Sequence, residues 1–270
     1  MLREKFGDLA ADNLGPKKLR DLIEREAEKR DWSLTYSRDV LAKVKMIYRW
    51  AVEEELLEVA AYQRIVVCKI RNGRKTTPKA PVDDQLVDQT LAHLSPKLAA
   101  MVRIQRLTGM RPGELVMMRP NDIDRRRDDV WIYTPEHHKT EHHGKSRTIY
   151  IGPNARAILA PWLLKAEEYV FPTRRAEHYS SDSYRQMIQR AIDRINRQRN
   201  KEAKEAGCEP ILLPKWSPNQ LRKAAAKAVR DQEDVETAAA VLGHSSSVVT
   251  QDHYATASAE RAVDWARQFG

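Results

Sequence analysis

Four short stretches, TGMRPGEL (Thr108–Leu115), HKT (His138–Thr140), NQLRKA (Asn219–Ala224) and LGHSSSVVTQDHY (Leu242–Tyr254), distribute Arg111, Lys139, Arg222, His244 and Tyr254 along the chain. They constrain the fold strongly, because their chemistry has a use only if widely separated segments meet. Two guanidiniums can grip the non-bridging oxygens of one phosphodiester in bidentate fashion, which a lysine point charge does less well, so a pair of fixed arginines reads as a clamp on a phosphoryl centre. Phosphoryl transfer develops negative charge on the equatorial oxygens and on the departing oxygen, and the site must offer fixed cations there together with a proton donor. Lys139 and His244 add donors, and Tyr254 supplies a hydroxyl able to attack phosphorus. A phenol with a reference pKa of about 10 is un-ionised at neutral pH, so its activation would rest on the nearby arginines.

These stretches resemble the boxes of the tyrosine recombinases, the phage-integrase-like site-specific recombinases, and their neighbours match as well. TGMRPGEL followed by NDID (Asn121–Asp124) is similar to the family's first arginine box, with Glu114 where the family carries a supporting acid. LGHSS ahead of a tyrosine is similar to its last box, and YRWAVEEELLE (Tyr48–Glu58) looks like the end of the helical domain that precedes the catalytic domain. The resemblance implies a mainly α fold with a small antiparallel β-hairpin or sheet (α+β). It also implies catalytic roles for Arg111, Lys139, Asn219, Arg222, His244 and Tyr254.

Two positions need separate argument. Lys145 shares a loop with Lys139, but the KT pair directly after the first strand resembles the family's hairpin lysine. Asn219 departs from the family: it stands three residues before Arg222, where most members have a histidine. An amide can donate a hydrogen bond but cannot shuttle a proton near neutral pH.

The implied activity is a DNA recombinase working through a 3′-phosphotyrosyl intermediate, with no metal or nucleotide cofactor. Its partners would be double-stranded DNA and further copies of itself, up to a tetramer joined through the C-terminal helix. Two other readings stay open: a relaxing enzyme of the topoisomerase IB kind, and a catalytically weak DNA-binding protein.

Charge is consistent with a nucleic-acid partner: 47 Lys and Arg against 38 Asp and Glu give +9 over 270 residues, a surplus expected where backbone phosphates are neutralised. Cys68 and Cys208 have no CxxC or Cys/His spacing, which excludes a disulfide framework or a structural zinc site. His137, His138, His142 and His143 crowd the loop of Lys139, and they read as polar groups facing DNA in preference to metal ligands. The longest apolar stretch, Ala157–Leu164, is interrupted by a proline and falls short of the roughly 20 residues a membrane span needs. No membrane association and a cytoplasmic, nucleoid-associated location are expected.

Three segments follow along the chain. Residues 1–63 read as a partial helical DNA-clamping domain. Pro16 opens one helix and Ser33 caps a longer one, whose apolar positions Leu34, Val40, Leu41, Val44, Ile47, Trp50 and Ala51 read as a core stripe. The resemblance implies that the family's first helix and any further N-terminal DNA-binding module are absent. Residues 64–82 read as a basic interdomain linker, since Arg64–Lys79 holds six basic residues and no acid. Residues 83–270 read as the catalytic domain. There DVWIYTP (Asp129–Pro135) and SRTIYIG (Ser146–Gly152) form a hairpin around Lys139, and helices start at Pro153, Ser181, Pro218, Asp234 and Ser246. A terminal helix carries Ala262, Trp265, Ala266 and Phe269 on one stripe. DNA contacts are expected from Arg38, Lys43, Lys45, Arg71, Arg74, Lys75 and Lys79.

Overall fold

The computed structural model describes residues 10–136, 147–175, 177–242 and 252–270, besides Glu4 and Gly7; for 235 and 252–258 it describes the backbone alone. The chain divides into two compact units, Met1–Pro78 and Lys79–Gly270.

The first unit is helical. Pro16 takes the first position of α1 (Pro16–Lys29), and the Ser33 hydroxyl accepts the Tyr36 N–H at the start of α2 (Leu34–Glu53), as expected of a first-turn proline and a serine cap. With α3 (Val59–Val66) they enclose Leu19, Ile23, Leu41, Val44, Tyr48 and Ile65. The stripe of α2 differs from the expected one. Leu34, Ser37, Leu41, Val44, Tyr48 and Ala51 are buried, spaced alternately by three and four residues, which keeps them on one side of a 3.6-residue turn. Ile47 and Trp50 fall off that line and are 54% and 51% exposed. The expected linker is also corrected. Ile65, Cys68 and Ile70 are buried in the first unit's core, and the Arg74 carbonyl accepts the Leu34 N–H at 2.8 Å. The division therefore falls after Pro78, because the apolar residues of the basic stretch are held inside while its charges point outward.

The second unit is mainly helical around a small sheet. Helices α4 (Asp84–Leu91) and α5 (Pro96–Thr108) are capped by Asp83 and Ser95. A single-turn-plus helix α6 (Pro112–Val116) leads to β1 (Ile123–Asp124), β2 (Trp131–Tyr133) and β3 (Ile149–Ile151), an antiparallel meander in that order, with Ile132 opposite both Asp124 and Tyr150. The expected hairpin is therefore β2–β3, and NDID supplies a third strand. Helices α7 (Pro153–Leu163), α8 (Ser181–Ala206), α9 (Pro218–Gln232), α10 (Val235–Leu242) and α11 (Asp252–Phe269) complete the unit. Its core gathers Met101, Ile104, Leu115, Tyr133, Ile149, Phe171, Tyr184, Ile188 and Leu221.

Helix α11 runs without a break from Asp252 to Phe269, so the segment bearing Tyr254 and the expected terminal helix are one element. Its stripe of Ala262, Trp265 and Ala266 is buried within its own unit, with Phe269 packed beside it. A Cβ on Gly152 would stand 1.6 Å from the Ala266 carbonyl oxygen, so only glycine lets the end of β3 approach this helix so closely. Among the described residues no helix is long and apolar enough to cross a membrane.

Candidate active site

The turn between α5 and α6 is where the site begins. Gly109 ends α5 in the left-handed region (φ +62°), and an added Cβ would lie 2.7 Å from Leu242 Cδ2 and 3.2 Å from Ala225 Cβ. Both backbone conformation and space therefore call for glycine. The carbonyl of Met110 accepts from buried Gln105 at 3.1 Å, whose own carbonyl oxygen takes the Tyr184 hydroxyl at 3.1 Å. Two buried polar groups thus hold the loop that presents Arg111.

Arg111 is the residue before α6, and Glu114 reaches back to it. One carboxylate oxygen accepts the Arg111 N–H at 2.6 Å and the other accepts from its guanidinium at 2.6 Å. This is the returning half of a capping box, since arginine has no acceptor to offer in exchange. Glu114 is 3% exposed while Arg111 remains 24% exposed, so the acid is interior and the cation lies at the margin of solvent. Burial works against the charge of Glu114, but Arg147, the Arg111 N–H and the Arg111 guanidinium outweigh it, and the carboxyl is held below its usual range. The Tyr133 hydroxyl donates to the Glu114 backbone carbonyl at 2.7 Å, tying α6 to the sheet.

Arg222 comes from α9. Its two terminal nitrogens donate to the carbonyls of Gly109 and Leu242, each at 2.7 Å, so one guanidinium joins the turn before Arg111 to the last residue of α10. Burial, followed by the charges of Arg111 and Arg147, pushes it down to about 10, which leaves it protonated at neutral pH. The approach of α9 is fixed by Trp216, whose indole N–H donates to Thr90 Oγ1 at 3.1 Å, and by Gln220, which caps the Ser217 N–H and donates to the Ala80 carbonyl.

The structure brings together Arg111, Glu114 and Arg222 of the expected set. Asn219 lies on the first turn of α9, one turn before Arg222, exposed. Lys139 and His244 lie outside the described residues, as do the four loop histidines. Tyr254 is on the first turn of α11, described by its backbone alone. That helix packs on α10, whose Leu242 carbonyl holds Arg222.

Sequence reasoning missed Arg147. Its side chain is 3% exposed and its Nε donates to Glu114 Oε1 at 3.2 Å, so it shares with Arg111 the same oxygen of one acid. A signal was present: in SRTIYIG the two-residue period of a strand puts Arg147 on the face of Ile149 and Ile151, and all three are buried while Thr148 and Tyr150 are less so.

The residues expected to touch DNA divide by what already holds them. Lys45 donates to the Val66 and Cys68 carbonyls at 2.8 Å each, Arg38 to the Ile70 carbonyl, and Arg74 pairs with Asp31 at 2.9 Å. Lys43 pairs with Asp39 at 3.5 Å across exposed helix surface. Arg71, Lys75 and Lys79 are exposed.

The buried acid Glu114 is thus held by Arg111, just before α6, and by Arg147, just before β3, while Arg222 of α9 is fastened to the turn that carries Arg111. Residues 82–261 match the model of the Phage integrase family. The chain therefore belongs to that family, the tyrosine recombinases. Lambda integrase, solved as a tetramer bound to a Holliday junction, has a TM-score of 0.64 at 16% identity, over 95% of this chain and 68% of that one. Lambda integrase residues 75–356, solved as a dimer bound to a COC′ core site, gives 0.60 at 17% identity, over 89% and 82%. The Tn1549 transposon integrase (residues 82–397) in complex with circular intermediate DNA gives 0.66 at 14% identity, over 94% and 87%. No curated protein matches by sequence.

Proposed function

We propose that this protein is a site-specific DNA recombinase that cleaves and rejoins duplex DNA through a 3′-phosphotyrosyl intermediate. The observation that carries the reading is the meeting of Arg111 and Arg222 around buried Glu114, with Arg222 tied to the turn that presents Arg111. In this account the two guanidiniums hold the scissile phosphate and offset the charge that builds on its oxygens. The Tyr254 hydroxyl attacks phosphorus and passes its proton to solvent water, the bond from phosphorus to the 5′ oxygen breaks, and Lys139 delivers a proton to that oxygen. The 5′-hydroxyl of a partner strand then attacks the phosphotyrosine, restoring the phosphodiester and the phenol. His244 and Asn219 hydrogen-bond phosphate oxygens. The phosphotyrosine conserves the energy of the broken bond, so the cycle calls for no cofactor.

Assembly on DNA belongs to the same reading, since lambda integrase was solved as a dimer and as a tetramer on its DNA. Self-association through the C-terminal helix would have to undock it, because its apolar stripe is covered by its own unit.

The test is covalent trapping. Duplexes enriched by binding from a randomised pool would be nicked near the cleavage position so that the short product strand diffuses away, and the protein–DNA adduct read on a denaturing gel. An adduct at the 3′ end supports the reading. Binding without any adduct would favour the weak-cleaving alternative, and plasmid relaxation by monomer without a preferred sequence would favour the topoisomerase-like one.

A further inference from the structure

Arg147 stands just before β3, and its guanidinium is interior. Nε donates to Glu114 Oε1 at 3.2 Å and Nη1 to the Thr148 carbonyl at 3.0 Å, while Nη2 is buried without a hydrogen-bond partner among the described residues. A guanidinium keeps its charge at any physiological pH, and burying one is unfavourable unless an opposite charge compensates. A well-packed apolar residue would serve stability as well or better. The placement therefore calls for a role in charge arrangement.

Glu114 supplies that role. Its Oε2 takes the Arg111 N–H, and its Oε1 is shared by Arg111 Nη1 at 2.6 Å and Arg147 Nε at 3.2 Å. With one cation, the acid and Arg111 would form a closed, neutral pair directed at each other. With Arg147 on the same oxygen, the carboxylate is held from two sides and its charge is divided between two cations. The cluster of Arg111, Arg147 and Arg222 around Glu114 also keeps an excess of positive charge. A phosphodiester carries one negative charge and fits that excess.

We propose that Arg147 is a positioning residue for the phosphate clamp: by sharing Glu114 Oε1 it fixes the place of Arg111 and leaves the Arg111 guanidinium free to engage a phosphate oxygen. The assignment rests on the recombinase reading for what the clamp holds.

The experiment compares wild type, Arg147→Gln, Glu114→Gln and the double variant by single-turnover adduct formation, DNA affinity and the side-chain N–H resonance of Arg111 in arginine-labelled protein. Arg147→Gln should slow adduct formation by about 10²-fold, the scale of a small misplacement at a reacting centre, with DNA affinity little changed and the Arg111 resonance moved. The double variant should be no slower than the slower single variant, because both act through one contact. Losses that multiply in the double variant, or an unmoved Arg111 resonance with full activity, would overturn the assignment. Should Arg147→Gln not fold, Arg147→Lys decides: an ammonium cannot hold the Thr148 carbonyl and share Oε1 with a fork's geometry, so activity and resonance should both shift, and wild-type values for both would overturn it. If the wild-type protein itself forms no adduct, the recombinase reading fails, and the Arg111 resonance alone then decides the positioning role.

Discussion

The guanidinium of Arg222 donates to the carbonyl of Gly109 at 2.7 Å, so the second arginine of the proposed clamp is fastened to the turn that carries the first. The turn itself depends on a residue without a side chain, which makes Gly109→Ala a sharp probe. Left-handed backbone costs an ordinary residue about 1–2 kcal/mol, and the new methyl would press on Leu242 Cδ2 at 2.7 Å and Ala225 Cβ at 3.2 Å. A loss of about 2 kcal/mol is expected, seen as a fall in melting temperature of about 4–8 °C. Adduct formation should fall further than stability explains at a temperature where both proteins are folded. An unchanged melting temperature would mean the turn is not held as described.

Tyr254→Phe removes the oxygen proposed as nucleophile and changes no charge. Covalent attachment should vanish while non-covalent DNA affinity stays near that of wild type. If the variant forms adduct at the original rate, the nucleophile is another residue.

The acid limb of stability tests Glu114. Its folded pKa is held below the ordinary carboxyl value of 4.5, so its contribution is fully present above that value and is lost as pH falls through the lower folded pKa. The melting temperatures of wild type and Glu114→Gln should differ at neutral pH and converge as pH drops below 4.5, where protonation makes the native acid resemble the amide. The other depressed carboxyls, such as Asp124 beside Arg126, are common to both proteins and cancel in the comparison. A gap that stays constant down to unfolding would show that Glu114 is not held as a carboxylate.

Salt dependence separates lysines that face solvent from those that hold the fold. Lys75 and Lys79 are exposed, and replacing both with alanine should reduce the slope of log affinity against log salt by up to about 0.9 per lost phosphate contact. Lys45, whose ammonium is bonded to the Val66 and Cys68 carbonyls, should leave that slope unchanged when replaced by alanine but lower the melting temperature. The opposite pattern would reverse their roles.

Arg111, Glu114 and Arg222 could be found in the sequence because each sits in a contiguous motif whose neighbours also have local work, such as the glycine turn and the capping acid. Arg147 was half legible: the alternation of SRTIYIG places it on the inward face with Ile149 and Ile151, but its partner Glu114 lies 33 residues away and is brought to it only by the fold. The misplacement of Ile47 and Trp50 has a related cause. They are apolar and close to the stripe, but a helix turns about 100° per residue, and Ser37 and Tyr48 lie nearer its centre. The basic stretch Arg64–Lys79 reads as a linker by its charges, while its place in the fold follows from Ile65, Cys68 and Ile70.

Asn219 is where sequence and family disagree, and its surroundings sharpen the expectation. The residue is exposed on the first turn of α9, so a histidine fits there without repacking, and any change in rate reports chemistry. A well-placed proton-transfer group is typically worth about 10²–10⁴-fold, so if proton handling at this position limits the reaction, Asn219→His should show a large gain near neutral pH. If the position only donates a hydrogen bond to a phosphate oxygen, the amide already suffices. We expect the second result, with cleavage little altered and no new titration near the histidine pKa of about 6.5. The reason lies in the rest of the cluster: Arg111, Glu114 and Arg222 retain a closed set of contacts that a chain relieved of catalysis would have no need to keep. Single-turnover cleavage of one substrate by both proteins across pH 5–8, the range in which an imidazole changes charge, decides the matter. A gain of about tenfold or more, rising with imidazole ionisation, would show that the native site is chemically limited and that its main work is binding.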